Sequence, residues 1–242
     1  AEVKTQICKV LGKPKDSICK PDDLALFDIV VTNPPFGIKL PIKDQAVLEQ
    51  FDLGYIWEED STKNIIKTNK LYASRSPEVL FIERCWQFLK PGGRMGIVLP
   101  DAILGAPGIE YASIREWLFE KSKDIASIDL HRDTFQPHNG TKTSVLILVK
   151  KTKKEIENWN KNSPAVNNKI FFAMIKKVGH DKRGNEIYKK DEEGDYLLQP
   201  DIDLKHKEEK SSHRKSGTSQ QKIKDDETGI AADTFLKWKK EG

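Results

Sequence analysis

The chain has 242 residues, 37% of them hydrophobic, which suffices for one large domain or a domain with an appendage and excludes a disordered protein. Lysine and arginine total 41 against 37 acidic residues, and the net charge of +4 permits a nucleic-acid partner without requiring one. Cys8, Cys19 and Cys85 form no C-x-x-C pair and share no metal-type spacing with the five histidines, so neither a disulfide framework nor a zinc site is expected and a cytoplasmic location fits best. No apolar run reaches the ~18 to 20 residues of a membrane span, and the amino terminus lacks the succession of a signal peptide.

Residues 1–25 are polar and proline-punctuated. They lead into "FDIVVTNPPFG", whose Asp28 to Thr32 is a short β-branched run that reads as a strand buried on both faces of a parallel sheet. A long polar stretch comes next, to about Lys70, read as a large loop with one short helix. "PEVLFIERCWQFLK" predicts a helix from Pro77, proline being suited to a first turn, with Val79, Leu80, Phe81, Ile82, Cys85, Trp86, Phe88 and Leu89 largely along one face, which reads as core. "PGGR" stops that helix and opens a second strand, "MGIVLP". Asp101 reads as a helix cap, leading into a glycine-broken turn and a helix through Glu120.

"IASIDL" and "SVLILVKK" are two further strands, and Pro137, Asn139 and Gly140 between them mark a turn joining an antiparallel pair. The succession predicts an α/β fold, a parallel sheet ending in an antiparallel hairpin at one edge. Past Lys150 come a charged run read as a solvated face, an apolar "KIFFAMI", and a loop or small hairpin around Gly184. Residues 201–230 are charged and poor in large apolar side chains, which reads as a linker, and the last dozen residues suggest a short amphipathic helix.

In an open α/β sheet, ligands sit beyond the carboxyl ends of the strands, and Asn33 falls there. Pro34 and Pro35 stiffen the corner and contribute no N–H, leaving the carbonyls of Asn33 and Pro34 and the Asn33 side-chain oxygen as a cluster of acceptors. Phe36 adds a flat face for stacking a planar ring, worth roughly 1 to 3 kcal/mol for a base. An aminated heterocycle suits this arrangement, and an adenine flipped out of its duplex is one.

"NPPF" after a strand resembles the catalytic motif of S-adenosylmethionine-dependent amino-methyltransferases, [Asn/Asp/Ser]-Pro-Pro-[Tyr/Phe/Trp]. With "LFIERCWQFLKPGGRMGIVLPDAILG", "TFQPHNGTKTSVLILVKK" and "AMIKKVGHDKRGNEIY", the chain is similar to the adenine-specific DNA methyltransferase subunits of type I restriction-modification systems, from Leu26 to about residue 190. The resemblance implies a Rossmann-like methyltransferase sheet and S-adenosylmethionine as cofactor. It implies methylation of the adenine exocyclic amine, with the Asn33 side-chain oxygen and the Pro34 carbonyl binding the two N–H groups, Pro35 holding the corner and Phe36 stacking on the base. Thr141, Lys142, Thr143 and Ser144 are either a polar turn or, by the resemblance, close to the target pocket and the DNA. Double-stranded DNA, a specificity subunit and a restriction subunit are the implied partners.

Two other readings stand beside this one: the same chemistry directed at a glutamine amide or an RNA base, and a non-catalytic remnant that binds DNA or a subunit. The family's glycine-rich cofactor turn is not found upstream of Leu26. Residues 26–150 are therefore expected to form the carboxyl-terminal half of a methyltransferase domain without its first strands, with 1–25 a leader, 151–200 a satellite element packing on the sheet, and 201–242 a linker and terminal helix. On that expectation the isolated chain neither binds cofactor tightly nor methylates DNA, and its exposed sheet edge invites self-association.

Overall fold

The computed structural model describes residues 24–35, 40–161, 169–200 and 220–241. They fall into two compact units, one running to Asp129 and resuming over Thr143–Ala173, the other made of Leu130–Lys142 and the chain from Met174. In chain order the first holds β1 (Phe27–Thr32), α1 (Gln45–Leu48), β2 (Tyr55–Glu59), β3 (Ile65–Leu71), α2 (Pro77–Phe88), β4 (Leu89–Pro100), α3 (Asp101–Gly105), α4 (Ile109–Lys121), β5 (Ser122–Asp129), β6 (Thr143–Lys150), α5 (Lys153–Lys161) and β7 (Phe171–Met174).

The central sheet has the order β1-β4-β6-β5-β7. β1 pairs with β4 in parallel, Val30 abreast of Met95 and Thr32 abreast of Ile97. Parallel neighbours need a crossover, and α2 supplies it. β6 is antiparallel to both β4 and β5, so β1, β4 and β5 run one way and β6 runs against them. The expected α/β sheet, parallel strands plus an antiparallel β5–β6 hairpin, is present, with β6 set between β4 and β5.

The side-chain alternation of the strands builds the core. Met95, Ile97 and Leu99 of β4 share a face with Leu146 and Leu148 of β6 and pack against Ile82 and Cys85 of α2 and Ile114, Trp117 and Leu118 of α4. Each such aliphatic side chain contributes about 1.5 to 3 kcal/mol on burial. Pro77 opens α2 as the spacing predicts, and Trp86 meets Trp117 edge to face at 5.5 Å.

Two consecutive lysines at the end of β6 serve two helices. Lys150 Nζ donates to the Leu89 carbonyl at 2.8 Å and the Trp86 carbonyl at 3.1 Å, at the carboxyl end of α2. Lys151 Nζ donates to the Phe119 carbonyl at 2.7 Å near the end of α4, and burial brings its ammonium down to about 8. Cations at these ends also complement the helix dipoles.

Several expectations need correction. The polar stretch after the proline corner does contain one short helix, α1, but it also forms the antiparallel hairpin β2–β3. Its turn, Asp60 to Asn64, has Lys63 at φ 65° where glycine would have signalled a turn. Likewise β1 is not buried on both faces. Among the described residues its one neighbour is β4, and Phe27, Ile29 and Val31 are exposed, Val31 by 79%. Phe81, expected on the core face of α2, is also exposed, by 37%. Pro100 rather than Asp101 holds the N-cap position of α3, and Asp101 lies in the first turn.

In the second unit, residues 201–219 of the expected linker lie outside the described residues. Residues 220–230 are ordered as strand, bridges and helix start: β8 (Leu198–Pro200) pairs with β9 (Gln220–Lys222), and α6 spans Thr228–Glu241. The hairpin expected around Gly184 is there, closed by Asp181, whose carboxylate accepts the N–H groups of Arg183 and Asn185. A second turn of the same design lies at Asp191 to Asp195 with Gly194 at φ 94°.

Candidate active site

β1, β4 and β5 end on the same edge of the sheet, and β6 begins there. The proline corner leaves β1 at this edge: Asn33 comes one residue past the Thr32–Ile97 pair and is exposed, Pro34 is buried, and Pro35 is exposed again. The buried ring anchors the corner while the asparagine side chain faces outward. Neither proline carries an N–H, so the acceptors of Asn33 and Pro34 have no donor on the next peptide unit. Phe36 lies outside the described residues.

Ile42 and Arg75 exchange backbone hydrogen bonds of 2.8 and 2.9 Å, closing segment 42–75 at its base just ahead of α2. On the neighbouring strands, Asp101 comes directly after β4 and Asp129 ends β5, with Ser144 between them in register with Leu99 and Asp129. Ser144 Oγ donates to Asp101 Oδ1 at 2.7 Å. Thr143 opposes Pro100, is 1% exposed, and its Oγ1 has no hydrogen-bond partner among the described residues. Thr143 and Ser144 are thus the first residues of a core strand rather than a free turn.

Thr141 and Lys142 belong to the other unit, where the Thr141 N–H donates to Asn139 Oδ1 at 2.8 Å. The structure therefore brings Asn33, Pro34, Pro35 and Thr143 to one edge of one sheet, with Asp101, Asp129 and Ser144 added. The Asp101–Ser144 link was not anticipated. Its sequence signal is an aspartate directly after a strand-ending proline, which reads equally well as a helix cap.

Among the described residues, no group of three or more His, Cys, Asp or Glu side chains could hold a metal ion, and no helix is long and apolar enough to cross a membrane.

The chain is similar to known proteins. The family model described as N-6 DNA Methylase matches residues 2–239. A curated relative, the Type I restriction enzyme EcoEI methylase subunit of Escherichia coli, is 28% identical over 123 residues, covering 51% of this chain and 21% of the relative. The chain thus spans about a fifth of the length of the curated relative it matches. Among solved structures, the Type I restriction enzyme EcoKI M protein is 20% identical with a TM-score of 0.40, covering 75% of this chain and 35% of that one. A protein described as a class I S-adenosylmethionine-dependent methyltransferase, from Listeria monocytogenes, is 19% identical with a TM-score of 0.43, covering 62% of this chain and 37% of that one. With its family model matched over almost the whole sequence, the chain belongs to the N-6 DNA methylase family.

Proposed function

We propose that this chain carries the acceptor corner of an adenine-specific DNA methyltransferase, the modification subunit of a type I restriction-modification system. The observation that supports it is the Asn33–Pro34–Pro35 corner at the carboxyl end of a parallel strand in a chain of the N-6 DNA methylase family. The relative's name supports the type I system; double-stranded DNA as substrate, and a specificity and a restriction subunit as partners, complete the reading.

The lone pair of the adenine amine is delocalised into the ring, so the amine is a poor nucleophile. Hydrogen bonds from its two N–H groups to the Asn33 side-chain oxygen and the Pro34 carbonyl favour a pyramidal nitrogen and oppose the positive charge that grows on it during attack. The prolines hold those acceptors still, which supplies positioning without reorganisation. Phe36 stacks on the flipped base.

S-adenosylmethionine supplies the transferred methyl as an electrophilic sulfonium. Among the described residues no glycine-rich turn succeeds a strand.

Product identity tests the proposal. The complete enzyme containing this chain is incubated with methyl-labelled cofactor and, separately, duplex DNA, RNA and protein acceptors. Label recovered as N6-methyladenine from DNA is the expected result. Label on RNA or on a protein amide overturns the substrate assignment.

A further inference from the structure

The two Asp-closed turns of the second unit share a design and carry opposite charge at their tips: Lys182 and Arg183 in one, Glu192 and Glu193 in the other, all exposed. In the first turn Asp181 is spent on the turn itself. Its Oδ1 accepts the N–H groups of Arg183 at 2.8 Å and Asn185 at 2.9 Å, and its Oδ2 accepts Asn185 Nδ2 at 3.0 Å. Gly184, at φ 87°, lies against residues 130–142 of the same unit: a β-carbon there would stand 3.5 Å from Pro137 Cδ.

This contact joins a second basic segment to the Lys182–Arg183 turn. Exposed His138 adjoins Pro137 as Arg183 adjoins Gly184. Arg132, also exposed, lies in the same compact loop, which is closed by backbone hydrogen bonds from Thr134 to His131, Gln136 to Asp133 and Asn139 to Phe135. The acids of both segments have partners. Asp133 Oδ2 lies 3.9 Å from His131 Nδ1, and Glu186 takes Lys224 at 2.5 Å and the Tyr188 hydroxyl. Lys182, Arg183 and Arg132, by contrast, form no ion pair among the described residues. Exposed cations without a carboxylate opposite them keep their charge for an external anion, and a guanidinium fork beside an ammonium matches phosphate oxygens. Several such cations on one surface suit a chain of phosphates better than a single ion.

We propose that the Lys182–Arg183 turn, with Arg132 of the adjoining loop, binds the sugar-phosphate backbone of duplex DNA. The choice of DNA among polyanions rests on the proposed methyltransferase function. Contacts to phosphate position a protein on the duplex without reading its sequence. The sister turn, with Glu192 and Glu193, would repel the same backbone and supplies an internal control.

The complete enzyme containing this chain is titrated into fluorescein-labelled duplex DNA at about 50 to 200 mM salt. Each phosphate contact contributes about −0.9 to the slope of log K against log salt, so the double variant Lys182→Gln, Arg183→Gln is expected to flatten the slope by about 1 to 2 and to weaken binding about ten- to hundredfold. Glu192→Gln with Glu193→Gln shifts the net charge equally in the other direction and is expected to leave the slope unchanged. An unchanged slope in the Lys182, Arg183 variant overturns the proposal, as do equal and opposite changes in the two variants, which would report net charge alone. Where a variant does not fold, acetylation of Lys182 in the wild-type enzyme decides: protection by bound duplex supports the contact, and equal reactivity with and without DNA overturns it. N6-methyladenine recovered from DNA by the same preparation tests the proposed function separately, so its presence beside an unchanged slope removes this surface alone.

Discussion

Replacing Lys150 by methionine removes a buried cation that ties the end of β6 to the end of α2. The ammonium bonds the carbonyls of Leu89 and Trp86 and lies 3.8 Å from the centroid of the Trp86 ring. Hydrogen bonds to a charged group contribute about 1.5 to 3 kcal/mol each, and a carbonyl left unpaired in the interior costs about 1 to 3 kcal/mol. Set against these is the desolvation of the ammonium, several kcal/mol, which the substitution removes. Methionine keeps the apolar stem, so packing loss is small. The net expectation is a destabilisation of about 3 kcal/mol, or about 6 to 12 °C in Tm for a chain of this size. Thermal unfolding followed by circular dichroism and tryptophan fluorescence measures it. A variant within about 0.5 kcal/mol of the wild type would refute the view that Lys150 secures α2 to the sheet.

Lys63→Gly should stabilise the β2–β3 hairpin by about 0.5 to 1 kcal/mol, because Lys63 sits at φ 65° and relief of that strain exceeds the added entropy of the unfolded chain; urea midpoints check it. Thr152→Ala should cost about 1 kcal/mol, seen as faster amide exchange at the start of α5, since Thr152 Oγ1 accepts the Glu155 N–H at 3.2 Å while Glu155 Oε2 accepts the Thr152 N–H at 2.7 Å. Lys123, with help from the Thr152 N–H, brings the Glu155 carboxyl down to about 2, so its support for α5 is present above about pH 4.5 and lost as the pH falls toward 2. Carbon NMR titration of Glu155 with a midpoint above 4 would contradict that.

Strands and helices whose pattern matches their period were legible in the sequence: β4, β5, β6, α2 and α4 all lie where alternation, Pro77 and the apolar spacing put them. β1 was found but its burial was misjudged, because a β-branched run looks the same at a sheet edge as at its centre. The β2–β3 hairpin was missed because Lys63 stands in the position where a glycine marks a turn. The lysine pair at 150 and 151 reads only as the end of the strand "SVLILVKK", and tertiary contacts alone reveal two helix ends capped by neighbouring residues. At the candidate site the proline corner was legible because proline and asparagine act locally. Ser144 bonded to Asp101 was not, since that contact joins residues 43 apart in sequence.

In the proposed reaction the Asn33 side-chain oxygen accepts a hydrogen bond from the amine being methylated. Single-turnover methyl transfer into duplex DNA by the complete enzyme, compared among wild type, Asn33→Asp and Asn33→Ala, tests it most directly. With the fold unchanged by circular dichroism, alanine is expected to slow the chemical step roughly 10²- to 10³-fold, and aspartate, which keeps an acceptor there, to retain much of the rate. Equal rates for wild type and Asn33→Ala would contradict the account.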